Sequence, residues 1–178
     1  MRCVEHAPQH SRPRSLLSVV LFSSTSLAAA TWQCGIVAPV TRVIDGDTID
    51  VGGLGRVRLL GIDAPEIGGA FERPAPFAIE ARDELERLVL HRYARFECDA
   101  VPEDDRYGRR LAYVVLETSE FVNARLVRDG LARVSARQRL RRLDELQNAE
   151  REAQERRRGM WGETPRVPPE SYRLRRRR

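Results

Sequence analysis

The chain is 178 residues long and carries 31 basic against 26 acidic residues, a formal net charge of +5. Residues 1–30 hold three arginines against Glu5, and residues 166–178 hold six against Glu170, so removing +2 and +5 from the total leaves −2 for residues 31–165. That excludes a body that draws polyanions through a global positive field; any such affinity has to come from locally placed groups. All 31 basic residues are arginine, which reads as genomic composition rather than as function.

In chain order, Arg2, Arg12 and Arg14 come before or open an apolar, hydroxyl-rich run over residues 16–27, which ends at Ala28, Ala29 and Ala30. This is the layout of a secretory signal peptide cleaved near Ala30, which makes the protein secreted or periplasmic. A retained membrane anchor is the alternative, although six hydroxyl residues between Ser15 and Ser26 leave the run polar and short for a bilayer. The mature part, about 150 residues, is one domain's worth. It keeps Cys34 and Cys98 of the three cysteines. An even count in an oxidising compartment permits a disulfide, with two unlinked thiols as the alternative.

Residues 35–44 read as a first strand. Residues 48–51 read as a second strand, Gly52-Gly53-Leu54-Gly55 as a glycine-rich turn, and residues 56–62 as the returning strand. Residues 77–91 are predicted helical, with Ile79, Leu85, Leu88 and Val89 as an apolar stripe among charges. Residues 93–98 alternate like a strand, and residues 111–116 form another. Residues 121–129 make a short helix closed by Gly130, and residues 131–134 a brief extended segment. Residues 139–158 read as a long charged helix ended by Gly159, after which Met160 and Trp161 pack back onto the body. His91, the only histidine of the body, is placed at a helix end without catalytic work. The tail over residues 166–178 is expected to be disordered; it either adds a salt-sensitive attraction to a polyanion or is simply solvated.

Three short blocks carry the chemistry: Asp45-Gly46-Asp47-Thr48, Arg58 through Asp63-Ala64-Pro65-Glu66, and Asp105-Arg106-Tyr107-Gly108-Arg109. Antiparallel pairing about the glycine turn matches residues equally far on either side, so Asp47 is predicted beside the 60–63 end of the returning strand. Two neighbouring carboxylates repel unless a cation lies between them or one holds a proton. Oxygen ligands without a His or Cys cluster favour Ca²⁺ or Mg²⁺ over zinc. Pro65 biases Ala64 toward an extended conformation that can turn its carbonyl to such an ion, and Glu66 follows at a distance suited to holding a water. Taken singly, Asp-Gly-Asp is a common turn, Asp-Ala-Pro-Glu a strand exit, and Arg58 and Arg109 solvated charges. Together, hard-cation ligands and fork-shaped guanidiniums are the ingredients of metal-assisted phosphodiester cleavage.

The order Ile-Asp-Gly-Asp-Thr, Arg-Leu-Leu-Gly-Ile-Asp-Ala-Pro-Glu, Asp-Arg-Tyr-Gly-Arg-Arg-Leu-Ala-Tyr and Val-Asn-Ala-Arg-Leu-Val-Arg-Asp-Gly-Leu-Ala resembles the thermonuclease, or staphylococcal-nuclease-like, family over residues 40–161. The resemblance implies an α+β fold, a five-stranded OB-fold barrel with about three helices, over residues 31–165. It implies a calcium-dependent phosphodiesterase that cuts DNA and RNA with little base preference, Mg²⁺ being the less favoured ion. Asp47, Asp63 and the main-chain oxygen of Ala64 would be the metal ligands, with Asp45 behind them. Arg58 and Arg109 would hold the scissile phosphate and stabilise its growing charge. Glu66 would orient or deprotonate the attacking water, Tyr107 would hydrogen-bond a substrate phosphate, and Arg106 stands where the family has a lysine. Where the type member supplies a tyrosine for base stacking, this chain reads Ser135-Ala136-Arg137. A monomer is expected, with DNA and RNA as partners, no stable protein partner and no membrane contact once the signal is removed. The alternative is a nucleic-acid-binding OB-fold module that is catalytically weak; a calcium-stabilised domain without a nucleic-acid role leaves the arginines unexplained.

Overall fold

Strand β1 (Ile36–Val43) alternates, with Ala38 and Val40 buried and their neighbours turned outward, the pattern of a strand with one face on a core. The structure, a computed structural model, describes residues 32–68, 73–101 and 104–162. The expected signal segment over 1–30 and the arginine tail over 166–178 lie outside the described residues.

β1 pairs antiparallel with β2 (Thr48–Val51), which turns through the glycine loop into β3 (Gly55–Leu59). β3 runs parallel to β6 (Arg110–Leu116), β6 antiparallel to β5 (Tyr93–Glu97), and β5 returns to β1, closing a five-stranded barrel in the order β1-β2-β3-β6-β5. Val40, Ile49, Val57, Leu59, Phe96 and Val114 fill the interior, each essentially inaccessible to solvent. Three helices pack outside: α1 (Ala78–Val89) against β1, α2 (Val122–Arg128) against β6 and α1, and α3 (Leu143–Glu155) against α2. A single 3₁₀ turn, Gly159–Trp161, follows, and Met160 N donates to Gly130 O at 2.9 Å. The α+β class, the five-stranded OB-fold barrel and the three helices are those the family resemblance implies.

Two elements differ from the expectation. The returning strand 56–62 is broken: β3 stops at Leu59, and Ile62–Asp63 becomes β4, which leaves the barrel to pair with β7 (Arg133–Val134). The break falls at Gly61, whose φ of +81° is left-handed and strained for any residue with a Cβ. Beside it the buried Asn123 of α2 donates from Nδ2 to Leu60 O at 2.9 Å and accepts Val114 N at Oδ1 at 2.9 Å, tying helix, barrel and break together. The helix expected over 139–158 shortens to Leu143–Glu155 because its first residues have other partners. Leu140 is buried, Arg141 N donates to Asp99 Oδ2 at 2.6 Å, and Arg142 N donates to the Tyr113 hydroxyl at 3.4 Å. Cys34 and Cys98 are joined as a disulfide with Cα atoms 5.3 Å apart, fastening the entry of β1 to the exit of β5. His91 lies just beyond α1 with φ +59°.

Candidate active site

The β2–β3 register, Thr48 opposite Arg58, sets Asp47 opposite Leu59, and Leu59 N donates to Asp47 O at 2.8 Å. The chain then kinks at Gly61, and Ala64 N donates to Asp47 Oδ2 at 2.9 Å. Asp47 is therefore buried and fixed from both sides, with Thr48 Oγ1 donating to its Oδ1 at 3.0 Å. Gly46 makes this approach possible. A Cβ there would come within 2.6 Å of the Ala81 Cβ on α1 and 2.7 Å of the Ala64 Cβ, so the Asp45–Asp47 turn lies flush against helix and loop.

Arg58 projects from β3 between two carboxylates. It is ion-paired with Asp47 and donates from NH2 to Asp63 Oδ1 at 3.0 Å. Burial works to lower its pKa, but attraction to Asp47, then to Asp63 and Asp45, outweighs burial and raises it. The other oxygen of Asp63 accepts Arg133 NH2 at 2.8 Å, an ion pair that follows from the Asp63–Arg133 pairing of β4 with β7. Asp45 accepts Asp47 N at 3.1 Å, and its carboxyl is pushed up from 3.8 to about 6, first by burial and then by the charge of Asp47. Burial, with a like charge close by, disfavours the ionised form of Asp45.

The oxygen donors of Asp47 and Asp63 are of the chemical type that hard divalent cations take. Among the described residues no three or more His, Cys, Asp or Glu side chains converge as a cage. An ion here would take Asp47 and Asp63 and complete its shell with backbone oxygen and water, as such ions accept.

The third block is organised by Asp105. Its Oδ1 accepts Tyr107 N at 2.9 Å and Arg109 N at 3.0 Å, and its Oδ2 accepts Arg109 Nε at 2.7 Å. Burial raises the Asp105 pKa, but these bonds together lower it. Arg109 immediately precedes β6, where Arg110 pairs with Val57 and Leu111 with Arg58, so the parallel register sets Arg109 level with Arg56, two residues before Arg58 on the neighbouring strand. Tyr107, 66% exposed, lies between Arg106 and Arg109, whose guanidinium carbons are 4.7 and 5.2 Å from its ring centre. Arg106 NH2 also donates to the Tyr107 hydroxyl at 2.6 Å.

These groups border two adjoining hollows. A cleft of about 610 Å³ is lined by Arg58, Asp63, Arg106, Tyr107 and Arg109 together with the segment 135–138. An open hollow of about 640 Å³ is lined by Glu66, Asp50, Arg56, Tyr107, Gly108 and Arg109. Arg109 and Tyr107 border both. Glu66 is exposed, with its carbonyl accepting Ala75 N at 2.9 Å. The guanidiniums of Arg58 and Arg109 at a concave surface can bind a phosphate and compensate charge on it, with the Asp63 carboxylate beside them and an acidic group, Glu66, in the neighbouring hollow.

Sequence reasoning missed three supporting residues. Arg133 and Asn123 reach Asp63 and Leu60 across 70 and 63 positions, and no local pattern announces such contacts. Asp105 stood within the third block, and its four-residue spacing from Arg109 was the available signal.

The staphylococcal nuclease homologue family model matches residues 56–163, more than half of the chain. The chain is 36% identical over 144 residues to a thermonuclease of Staphylococcus hyicus, covering 79% of this chain and 82% of that protein. It is 37% identical over 128 residues to a thermonuclease of Staphylococcus intermedius, covering 68% of this chain and 74% of that protein. It is also 33% identical over 125 residues to the SPbeta prophage-derived endonuclease YokF of Bacillus subtilis, covering 67% of this chain and 42% of that protein. With the barrel, the broken returning strand and the carboxylate and arginine blocks all in place, this chain belongs to the staphylococcal nuclease homologue family.

Proposed function

We propose that the protein is an exported, calcium-dependent nuclease that hydrolyses phosphodiester bonds of DNA and RNA with little base preference. Family membership makes it a nuclease hydrolase. The observation that carries the finer reading is the convergence of Arg58, Asp63 and Arg109 on one cleft, with Asp47 directly behind. The alternating apolar and hydroxyl run before Ala30 supports export. Among the described residues no helix is long and apolar enough to cross a membrane.

In this reading Asp47, Asp63 and the carbonyl of Ala64 hold Ca²⁺, and Asp45 backs Asp47. When bound, the ion polarises a phosphoryl oxygen and compensates its charge. Arg58 and Arg109 contribute fork-shaped donors to the other phosphoryl oxygens, where negative charge grows as the diester is attacked. Arg58 exchanges part of its pairing with Asp47 and Asp63 for the phosphate, and Asp105 keeps Arg109 aimed. Glu66 orients the attacking water or takes its proton from the adjoining hollow, within reach of Arg109. The Tyr107 hydroxyl and Arg106 hold a phosphate at the mouth of the cleft.

The test is incubation of the purified protein with single- and double-stranded DNA and with RNA, in Ca²⁺, in Mg²⁺ or with a chelator. Cleavage of both nucleic acids in Ca²⁺, and its loss with chelator, is the expected result. Binding without cleavage in either cation would replace this reading with that of a binding module.

A further inference from the structure

The cleft has a second wall, residues 135–140, which is neither helix nor strand but is tethered at both ends. Ser135 N donates to Gly61 O at 2.9 Å; at the other end Leu140 is buried, and Arg141 N bonds Asp99, the residue after the disulfide-linked Cys98. Between these anchors Arg137 and Gln138 are exposed and line the same cleft as Arg106 and Arg109.

Arg137 differs from the arginines below it. Arg58, Arg109 and Arg133 are each paired with a carboxylate, whereas Arg137 has no ion pair or hydrogen bond among the described residues. Residues 31–165 hold more acids than arginines, so an unpartnered guanidinium in a concave wall is not a by-product of surplus positive charge. The second wall carries no aromatic side chain, Tyr107 being the only aromatic residue lining the cleft among the described residues. That wall offers a donor fork and a carboxamide in place of a stacking surface. A fork-shaped cation is suited to a phosphate oxygen pair.

We propose that Arg137, assisted by Gln138, forms a second phosphate subsite that takes the phosphodiester flanking the scissile one, so that a strand is gripped at two phosphates across the cleft. The proposal rests on the nuclease reading and deepens it: the preferred substrate is a polynucleotide strand rather than a dinucleotide. Recognition at this wall is through the backbone and not the base.

The experiment measures binding of the full chain to a single-stranded oligonucleotide of about 12 residues, with chelator present, from about 50 to 200 mM salt. R137A is expected to weaken binding on the order of fivefold and to flatten the slope of log affinity against log salt by about 0.7. The loss should be larger for the oligonucleotide than for a dinucleotide with one internal phosphate. R137K should keep the slope, and R151A, the same charge change on the outer face of α3 where Arg151 bonds only Asn148, should leave both quantities alone. A slope for R137A equal to that of the unsubstituted chain, with an unchanged melting midpoint, overturns the subsite while the unsubstituted chain still binds and cleaves. Absence of both binding and cleavage in the unsubstituted chain overturns the nuclease reading instead.

Discussion

The barrel end that carries Asp47 and Asp63 and the loops that carry Arg109 and Arg137 follow opposite rules. Asp47 is 3% exposed, and its side chain is held by Thr48, Arg58 and the amide of Ala64 from three segments of the chain. Tyr107 and Arg109 are held within a single turn, by Asp105 and by their contacts with each other and with Arg106. On the first side the chemistry is inseparable from the fold, because removing a charge strands another in the interior. On the second side a side chain can be lost without a buried group noticing.

The sharpest test of this contrast is a pair of substitutions. Arg58→Ala and Arg109→Ala are each expected to lower turnover on the order of 100- to 1,000-fold in a DNA-digestion assay, since in the proposed mechanism each removes a donor aimed at the reacting phosphate. Only Arg58→Ala should also destabilise the fold, by about 3–5 kcal/mol, because Asp47 is left buried and unpaired. Arg109→Ala should change stability by less than about 1 kcal/mol, its partner being a loop carboxylate. Equal melting losses in the two variants would erase the distinction.

Next in size is Asn123→Ala, which strands Leu60 O and Val114 N and should cost about 2–4 kcal/mol in urea unfolding. A loss below 1 kcal/mol, on the same scale, would detach the strand break from α2.

The pH dependence sharpens the comparison from the barrel side. Asp45 titrates near 6 instead of 3.8. Between those values the folded chain holds a proton that the unfolded chain has released, so this group makes stability fall as pH rises through that window. A divalent cation beside Asp47 favours ionised Asp45, so its binding below pH 6 must expel that proton. Calcium affinity followed by calorimetry should drop by up to about tenfold per pH unit below 6. Affinity that is flat across pH 6 would place Asp45 outside the ion's influence. Smallest is Tyr107→Phe, expected to raise KM about fivefold through one lost hydrogen bond while the melting midpoint stays put.

Much of this arrangement is legible in the sequence. Pairing about the glycine turn places Asp47 correctly because antiparallel register is arithmetic once a turn is located. The strand break escapes notice because Arg56-Val57-Arg58-Leu59-Leu60-Gly61-Ile62 is locally good strand, and what ends it is Asn123 reaching across from α2. The late start of α3 has the same origin: Arg141 and Arg142 are good helix formers whose amides are engaged by Asp99 and Tyr113. Asp45, Asp47, Asp63, Arg58 and Arg109 stand out as residue types that a phosphodiester site requires. Arg133 does not, since its link to Asp63 exists only once β4 and β7 have met. Local chemistry is written locally, while long-range hydrogen bonds are consequences of the assembled fold.

Closure of the barrel also orders events in time. β1 meets β5 through Ile36 and Phe96, and β3 meets β6 through Val57 and Arg110. Pairings of such separation form slowly compared with the β2–β3 hairpin. A chain emerging from the ribosome can bring Asp47 and Arg58 together early, but Arg109 joins them only when the strand that it precedes has docked. In the proposed mechanism, catalytic competence is thus withheld from the unfinished chain until β6, ending at Leu116, has been made.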